Sequence, residues 1–138
     1  MKPYEPVHSD AAPAAIGPYS QAVRAGEFVF LSGQIPLDPA TGELVEGDFD
    51  ARVTRVLDHL EAVAAAAGGS LAAAVKFTVY LTDLGRFAAV NAAMEARLTA
   101  PYPARAAVQV AALPKGADVE IDAILRLVRA TAPRGQDR

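Results

Sequence analysis

The run Phe28-Val29-Phe30-Leu31 limits what this chain can fold into more than any other feature, because it is apolar at every position. Successive side chains of a strand point to opposite faces, so a strand built on this run leaves neither face suited to water. Residues 21–25 and 27–32 flank Gly26 and read as a β-hairpin, although a lone glycine is a weaker turn signal than an Asn-Gly pair. Both faces of the second strand must be covered, and the rest of the sequence decides by what.

Helical periodicity occurs in two places. After a loop punctuated by Pro36, Pro39, Gly42 and Gly47, Asp48 suits an N-cap. Beyond it Phe49, Val53, Val56, Leu57, Leu60, Val63, Ala64 and Ala67 recur at spacings of three and four, which predicts an amphipathic helix ending at Gly68. Asp83 is placed to cap a second helix, with a stripe of Phe87, Val90 or Asn91, Met94 and Leu98, stopped by Pro101 and Pro103. Between them, residues 73–81 alternate as a strand, with Phe77, Val79 and Leu81 on one face and Lys76, Thr78 and Tyr80 on the other. Residues 4–7 form a short first strand, followed by the loop SDAAPAAIGPYSQA, and residues 106–113 and 119–128 form the last two strands, joined by PKGAD. The order predicts an α+β fold with both helices on one side of a sheet. Two helices cover one sheet face only. The simplest cover for the other is further copies of the same chain, so a homo-oligomer is expected.

At 138 residues, 52% of them apolar, the chain suits one domain over residues 1–128, with 129–138 read as a disordered tail. A net charge of −3 without a lysine or arginine cluster argues against nucleic acid as a partner. The absence of cysteine excludes disulfides and thiolate chemistry, and His8 and His59 lack the spacing of a metal site, so no metal is expected. MKPYEPVHSD has no secretory pattern, and the longest apolar stretch, 62–75, is interrupted by Gly68, Gly69 and Ser70. A cytoplasmic protein with no membrane partner is the expectation.

The placed polar residues concentrate between Tyr102 and Glu120. Arg105 lies between a proline-restricted turn and an apolar run, so its guanidinium is expected at a strand entrance. There it would either capture a ligand carboxylate, with backbone N–H groups such as that of Ala107, or form an ordinary salt bridge. Glu120 alternates with Val119 and Ile121 and so faces away from the helices. An ion pair with Arg105 or Lys76 and the orientation of a reacting water are both open to it. Asn91, on an apolar stripe, is expected to bond backbone groups of a nearby loop. Tyr19 is a core aromatic or a ligand contact, and Ser32-Gly33-Gln34 allows close backbone approach. His59 reads as a partly exposed helix residue. Phosphate-binding glycine patterns and a nucleophile elbow are absent.

The segments GPYSQAV at 17–23, FLSGQIPLDPATGEL at 30–44, VKFTVYLTDLGRFAAVN at 75–91 and YPARAAVQVAALPKGADVEIDAI at 102–124 resemble, in order and over nearly the whole chain, the RidA family, also called YjgF. The resemblance implies a chorismate-mutase-like α+β fold, a mixed sheet with two helices on one face. It also implies a homotrimer with sheets turned inward and sites in the clefts between subunits. In such a fold the last strand inserts between earlier ones, which replaces the terminal hairpin suggested by strand order alone. The implied activity is hydrolysis of 2-aminoacrylate or 2-imino acids, released by pyridoxal phosphate-dependent dehydratases, to 2-keto acids and ammonia. The deaminase itself would need no cofactor. By the same resemblance Arg105 clamps the substrate carboxylate, Glu120 positions the attacking water, and Tyr19 lines the pocket. Gly33, Ala107, Phe87 and Asn91 stand at or behind the same cleft. Ala107 departs from a common cysteine, and Arg52 and His59 replace an expected glutamine and asparagine. The alternative is a trimeric protein that binds keto acids without turnover. RNA cleavage, reported for some relatives, conflicts with the acidic balance of the chain.

Overall fold

The run Phe28–Leu31 falls in the second arm of a hairpin, formed by β2 (Ala22–Ala25) and β3 (Phe28–Gln34), in a computed structural model that describes residues 2–128. The tail expected over 129–138 lies outside the described residues. β1 (Glu5–Val7) adds to the outer side of β2. Then follow α1 (Phe49–Ala66), β4 (Ala74–Leu81), α2 (Phe87–Arg97), β5 (Ala104–Gln109) and β6 (Val119–Arg126). The sheet order is β1-β2-β3-β6-β4-β5, antiparallel throughout except for the parallel pair β4 and β5. β6 thus inserts between β3 and β4, as the resemblance implied, and the last two strands do not pair. A parallel pair needs a long crossover, and α2 supplies it.

Both helices pack on one face of this sheet, where Val53, Val56, Leu57, Leu60 and Val63 of α1 meet Val29, Leu31, Phe77, Val79, Ile121 and Leu125. Each of these side chains is withdrawn from water, which contributes roughly 1.5–3 kcal/mol apiece by transfer. Asp48 caps α1 by accepting from the Ala51 N–H at 2.9 Å, and Gly68, at φ +97°, ends it just past the last turn. Asp83 caps a short 3-10 turn over Leu84–Arg86, while α2 itself begins at Phe87 with no side-chain cap. The cap foreseen for the second helix therefore acts one turn early.

Two strands differ in extent from the sequence pattern for reasons of pairing. β5 covers Ala104–Gln109 rather than 106–113, because β4, its one strand partner among the described residues, ends at Leu81, where the Val110 N–H closes the ladder on the Leu81 carbonyl at 2.8 Å. β3 runs on to Gln34 because β6 offers Ile121 there, after a register shift between Leu31 and Gln34. On the face away from the helices, Phe28 and Phe30 remain 41% and 44% exposed. One copy of the chain leaves this face uncovered.

His59 is also not where the helical pattern suggested. It is buried, and its Nε2 lies 2.6 Å from the Leu37 carbonyl, because the loop after β3 folds back over α1. Burial holds its pKa below the ordinary imidazole value, the Leu37 bond opposing.

Candidate functional site

The register of β4 and β5 sets Arg105 beside Phe77, a core residue, so Arg105 projects to the helix side at the free edge of the sheet. It occupies the second position of β5, not the entrance before it. Phe87, Asn91 and Met94 follow one another at helical spacing on α2 and form its bed. The guanidinium stands 4.7 Å over the Phe87 ring, Nη1 donates to Asn91 Oδ1 at 2.6 Å, and Nη1 lies 3.9 Å from Met94 Sδ. Asn91 is therefore the partner of Arg105 and not, as its stripe suggested, of a loop backbone. Among the described residues no carboxylate pairs with Arg105. Its charge faces a cavity of about 320 Å³ bounded also by Glu95, Leu98 and Tyr102. Ala107, two residues along β5 beside Val79, packs its methyl against the core.

Glu120 stands opposite Tyr80 on β4, on the uncovered face. Its side chain lies across Gly33, where an added Cβ would sit 2.8 Å from Glu120 Cδ and closer still to Oε2. Only glycine leaves room for the carboxylate in this position. Glu120 makes no hydrogen bond or ion pair among the described residues, neither with Arg105 nor with Lys76. Burial, and after it the charge of Asp122, raises its pKa above the ordinary carboxylate value. It borders a second cavity of about 370 Å³, lined also by Tyr19, Gly33, Ile35, Leu37 and Lys115. Tyr19 is 54% exposed at its rim and is not a core aromatic.

Two residues lining this second cavity, Gln21 and Lys115, were not singled out by the sequence pattern. The buried Gln21 amide accepts from the Ser9 N–H at 2.6 Å and donates to the Pro13 carbonyl at 2.8 Å, which folds the loop before Tyr19. Lys115, in the left-handed region at φ +58°, donates from Nζ to the Gly42 carbonyl at 2.9 Å. Arg52 grips Asp118 with two bonds, 2.6 and 3.1 Å, and Arg86 adds a third at 3.0 Å, tying the start of α1 to the residue before β6. Burial alone would raise the Asp118 pKa, but these arginines overcome it and lower it. A glutamine at a strand start and a lysine before Gly116 are weak signals in a single sequence, and Met94 was legible only as core.

Arg105 and Glu120 lie on opposite faces of one sheet, with the helix side holding the first and the uncovered side the second. Phe87, Asn91 and Ala107 gather with Arg105, and Tyr19 and Gly33 gather with Glu120. Within one copy the two groups do not share a cavity. The first offers a fixed, unpaired cation suited to a planar carboxylate, and the second a proton acceptor of raised basicity beside an apolar wall.

Comparison with known proteins is consistent across sequence and structure. A family model described as Endoribonuclease L-PSP matches residues 9–127. Protein DfrA of Myxococcus xanthus is 58% identical over 120 residues, covering 86% of this chain and 92% of that protein. A 2-iminobutanoate/2-iminopropanoate deaminase of Escherichia coli strain K12 is 47% identical over 121 residues, covering 86% and 94%. The crystal structure of RidA from the Antarctic bacterium Psychrobacter sp. PAMC 21119 superposes with a TM-score of 0.85 at 54% identity, covering 89% of this chain and 99% of that one.

Proposed function

This chain belongs to the RidA (YjgF) family, and from that premise we propose that it is an enamine/imine deaminase that hydrolyses 2-imino acids, including the imine tautomer of 2-aminoacrylate, to 2-keto acids and ammonia. The observation that carries the reading is the state of Arg105: a guanidinium held by an amide, a ring and a thioether, with its charge left for a ligand. A 2-imino acid presents a planar carboxylate next to the carbon to be attacked. Two parallel hydrogen bonds from Arg105 would fix that carbon in place.

Glu120 then takes a proton from a water as the water oxygen bonds to the imine carbon, and passes that proton to the imine nitrogen to give the neutral carbinolamine. Glu120 next takes the carbinolamine hydroxyl proton and delivers it to the departing nitrogen as the C–N bond breaks, so that ammonia leaves and the C=O of the 2-keto acid forms. Glu120 ends the cycle as it began, and one water is consumed for each ammonia released. No step asks for a redox group or a cofactor. The substrate would come from pyridoxal phosphate-dependent dehydratases in the same cytoplasmic compartment.

Because Arg105 and Glu120 face opposite sides of the sheet, the reading requires two copies of the chain at each site. The Arg105 cavity of one copy would close over the Glu120 cavity of its neighbour. Such a head-to-tail contact closes into a ring, here a homotrimer. Exposed apolar side chains rim both halves: Ile16, 82% exposed, and Tyr19 near Glu120, and Tyr102, 58% exposed, near Arg105. The edge of β5 that turns away from β4 is likewise unpaired among the described residues.

The test is ammonia release from imines generated in situ by a serine or threonine dehydratase. Acceleration that disappears in Arg105→Ala supports the reading. Binding of pyruvate or 2-ketobutyrate without any acceleration would instead identify a keto acid-binding protein.

A further inference from the structure

The uncovered sheet face carries two carboxylates, and the structure treats them unequally. Glu120 and Asp122 stand two residues apart on β6 and point the same way. Tyr80 lies directly across from Glu120, and Thr78 directly across from Asp122. Yet the Tyr80 hydroxyl donates diagonally, to Asp122 Oδ2 at 2.9 Å, while Glu120 leans in the other direction onto Gly33 of β3. Of the two acids, one has a donor and the other has none.

We propose that Tyr80 and Asp122 are positioning residues that determine which carboxylate of this face does the proton work: Tyr80 engages Asp122, and Asp122 stands as a fixed negative charge beside an unbonded Glu120. The proposal rests on reading Glu120 as the proton acceptor in imine hydrolysis. A carboxylate bonded by a phenol holds its negative charge more readily and gives up basicity. Had Tyr80 bonded the residue it faces, Glu120 would be the weaker base and would be drawn away from the cavity. With the hydroxyl on Asp122, the nearby charge works on Glu120 in the opposite sense and makes it a stronger acceptor for a water proton.

The other groups around Glu120 do not cancel this effect. Lys115 lines the same cavity but directs its ammonium to the Gly42 carbonyl. Lys76 shares the open face, two residues before Thr78, and among the described residues forms no ion pair with either acid. Tyr19 contributes a hydroxyl at the cavity rim, and β3 contributes Gly33 and Gln34, which carry no charge. Tyr80 itself keeps its proton, since the bond to Asp122, and then burial, raise its pKa.

The experiment is a pH titration of the Asp and Glu carboxyl carbons by NMR in wild type, Asp122→Asn and Tyr80→Phe, with oligomer size checked in each. In Asp122→Asn the Glu120 midpoint is expected to move down toward the ordinary carboxylate value, and the rate of imine hydrolysis at neutral pH to fall on the order of threefold to tenfold. In Tyr80→Phe, which removes one oxygen and keeps the ring, Asp122 loses the donor that fixes it beside Glu120, so the Glu120 midpoint is expected to move down in the same sense but by less. An unmoved Glu120 in either variant overturns the proposal. The titration needs no turnover. A protein that shows both shifts but hydrolyses no imine therefore refutes the reaction and leaves the arrangement standing.

Discussion

Around Arg105 three neutral neighbours touch the charged group and hold it still, whereas among the described residues no hydrogen-bond donor or cation meets the Glu120 carboxylate, which rests on Gly33, and the surrounding walls are held instead. The difference fits the roles proposed for the two groups. A receptor for a carboxylate gains from a cation that is already oriented, because less freedom is lost when the ligand arrives. A proton carrier gains from being unbonded, because each donor on a carboxylate lowers its basicity. The arginine sits on the β5 edge against a face of α2 that supplies contacts, and the glutamate on β6 with its carboxylate over Gly33, which has no side chain.

The comparison breaks most easily at the arginine. Arg105→Ala is expected to lower kcat/KM for imine hydrolysis by roughly a hundredfold or more, since a charge-assisted bidentate bond is lost. Unfolding free energy should change by less than about 0.5 kcal/mol, because Arg105 is an exposed edge residue. Steady-state kinetics with chemical denaturation separates the two effects. Arg105→Lys should recover little, as an ammonium cannot reproduce the fork or lie flat on Phe87.

On the other side, Gly33→Ala puts a methyl where the Glu120 carboxylate rests. The side chain must turn away, and kcat is expected to drop by about tenfold or more while KM changes little. The opposite pattern is expected for Asn91→Ala. Removing the amide frees Arg105 without discharging it, so KM should rise by about fivefold, equivalent to roughly 1 kcal/mol, with kcat nearly kept. A KM effect at Gly33 and a kcat effect at Asn91 would reverse the roles assigned to the two regions.

The smallest expected effect is on stability. The folded chain binds the Glu120 proton more tightly than the unfolded chain does, so the ionised carboxylate destabilises the fold above its folded pKa, and this cost vanishes below the unfolded value. Glu120→Gln should accordingly be inactive yet slightly more stable than wild type at neutral pH, with the advantage fading as the pH falls through the Glu120 titration. Asp118 has the opposite sign. Its lowered pKa contributes stability above the unfolded value that is lost as the pH falls through the folded one, and Asp118→Asn should destabilise at neutral pH. Thermal melts at a series of pH values read both.

Periodicity made the helices and the two-faced strands legible, and the face of Glu120 followed from its alternation with Val119 and Ile121. The hydrogen-bond partner of Asn91 did not, because a helix stripe shows which face is turned inward and not which strand lies under it. The face of Arg105 was equally hidden. Its orientation depends on β5 pairing in parallel with β4, a long-range choice that strand composition does not encode. His59 looked exposed because the loop that buries it has no period of its own. Strand order came from the family resemblance, since residues 106–113 and 119–128 are compatible with a simple hairpin.

The central claim is that each site takes Arg105 from one copy of the chain and Glu120 from another, and mixing two inactive variants tests it directly. Arg105→Ala and Glu120→Gln chains, unfolded together and refolded in equal amounts, should regain imine hydrolysis at about a quarter of the wild-type activity, the share of interfaces in which an intact Arg105 meets an intact Glu120. Activity no higher than that of the two variants refolded separately would contradict the claim.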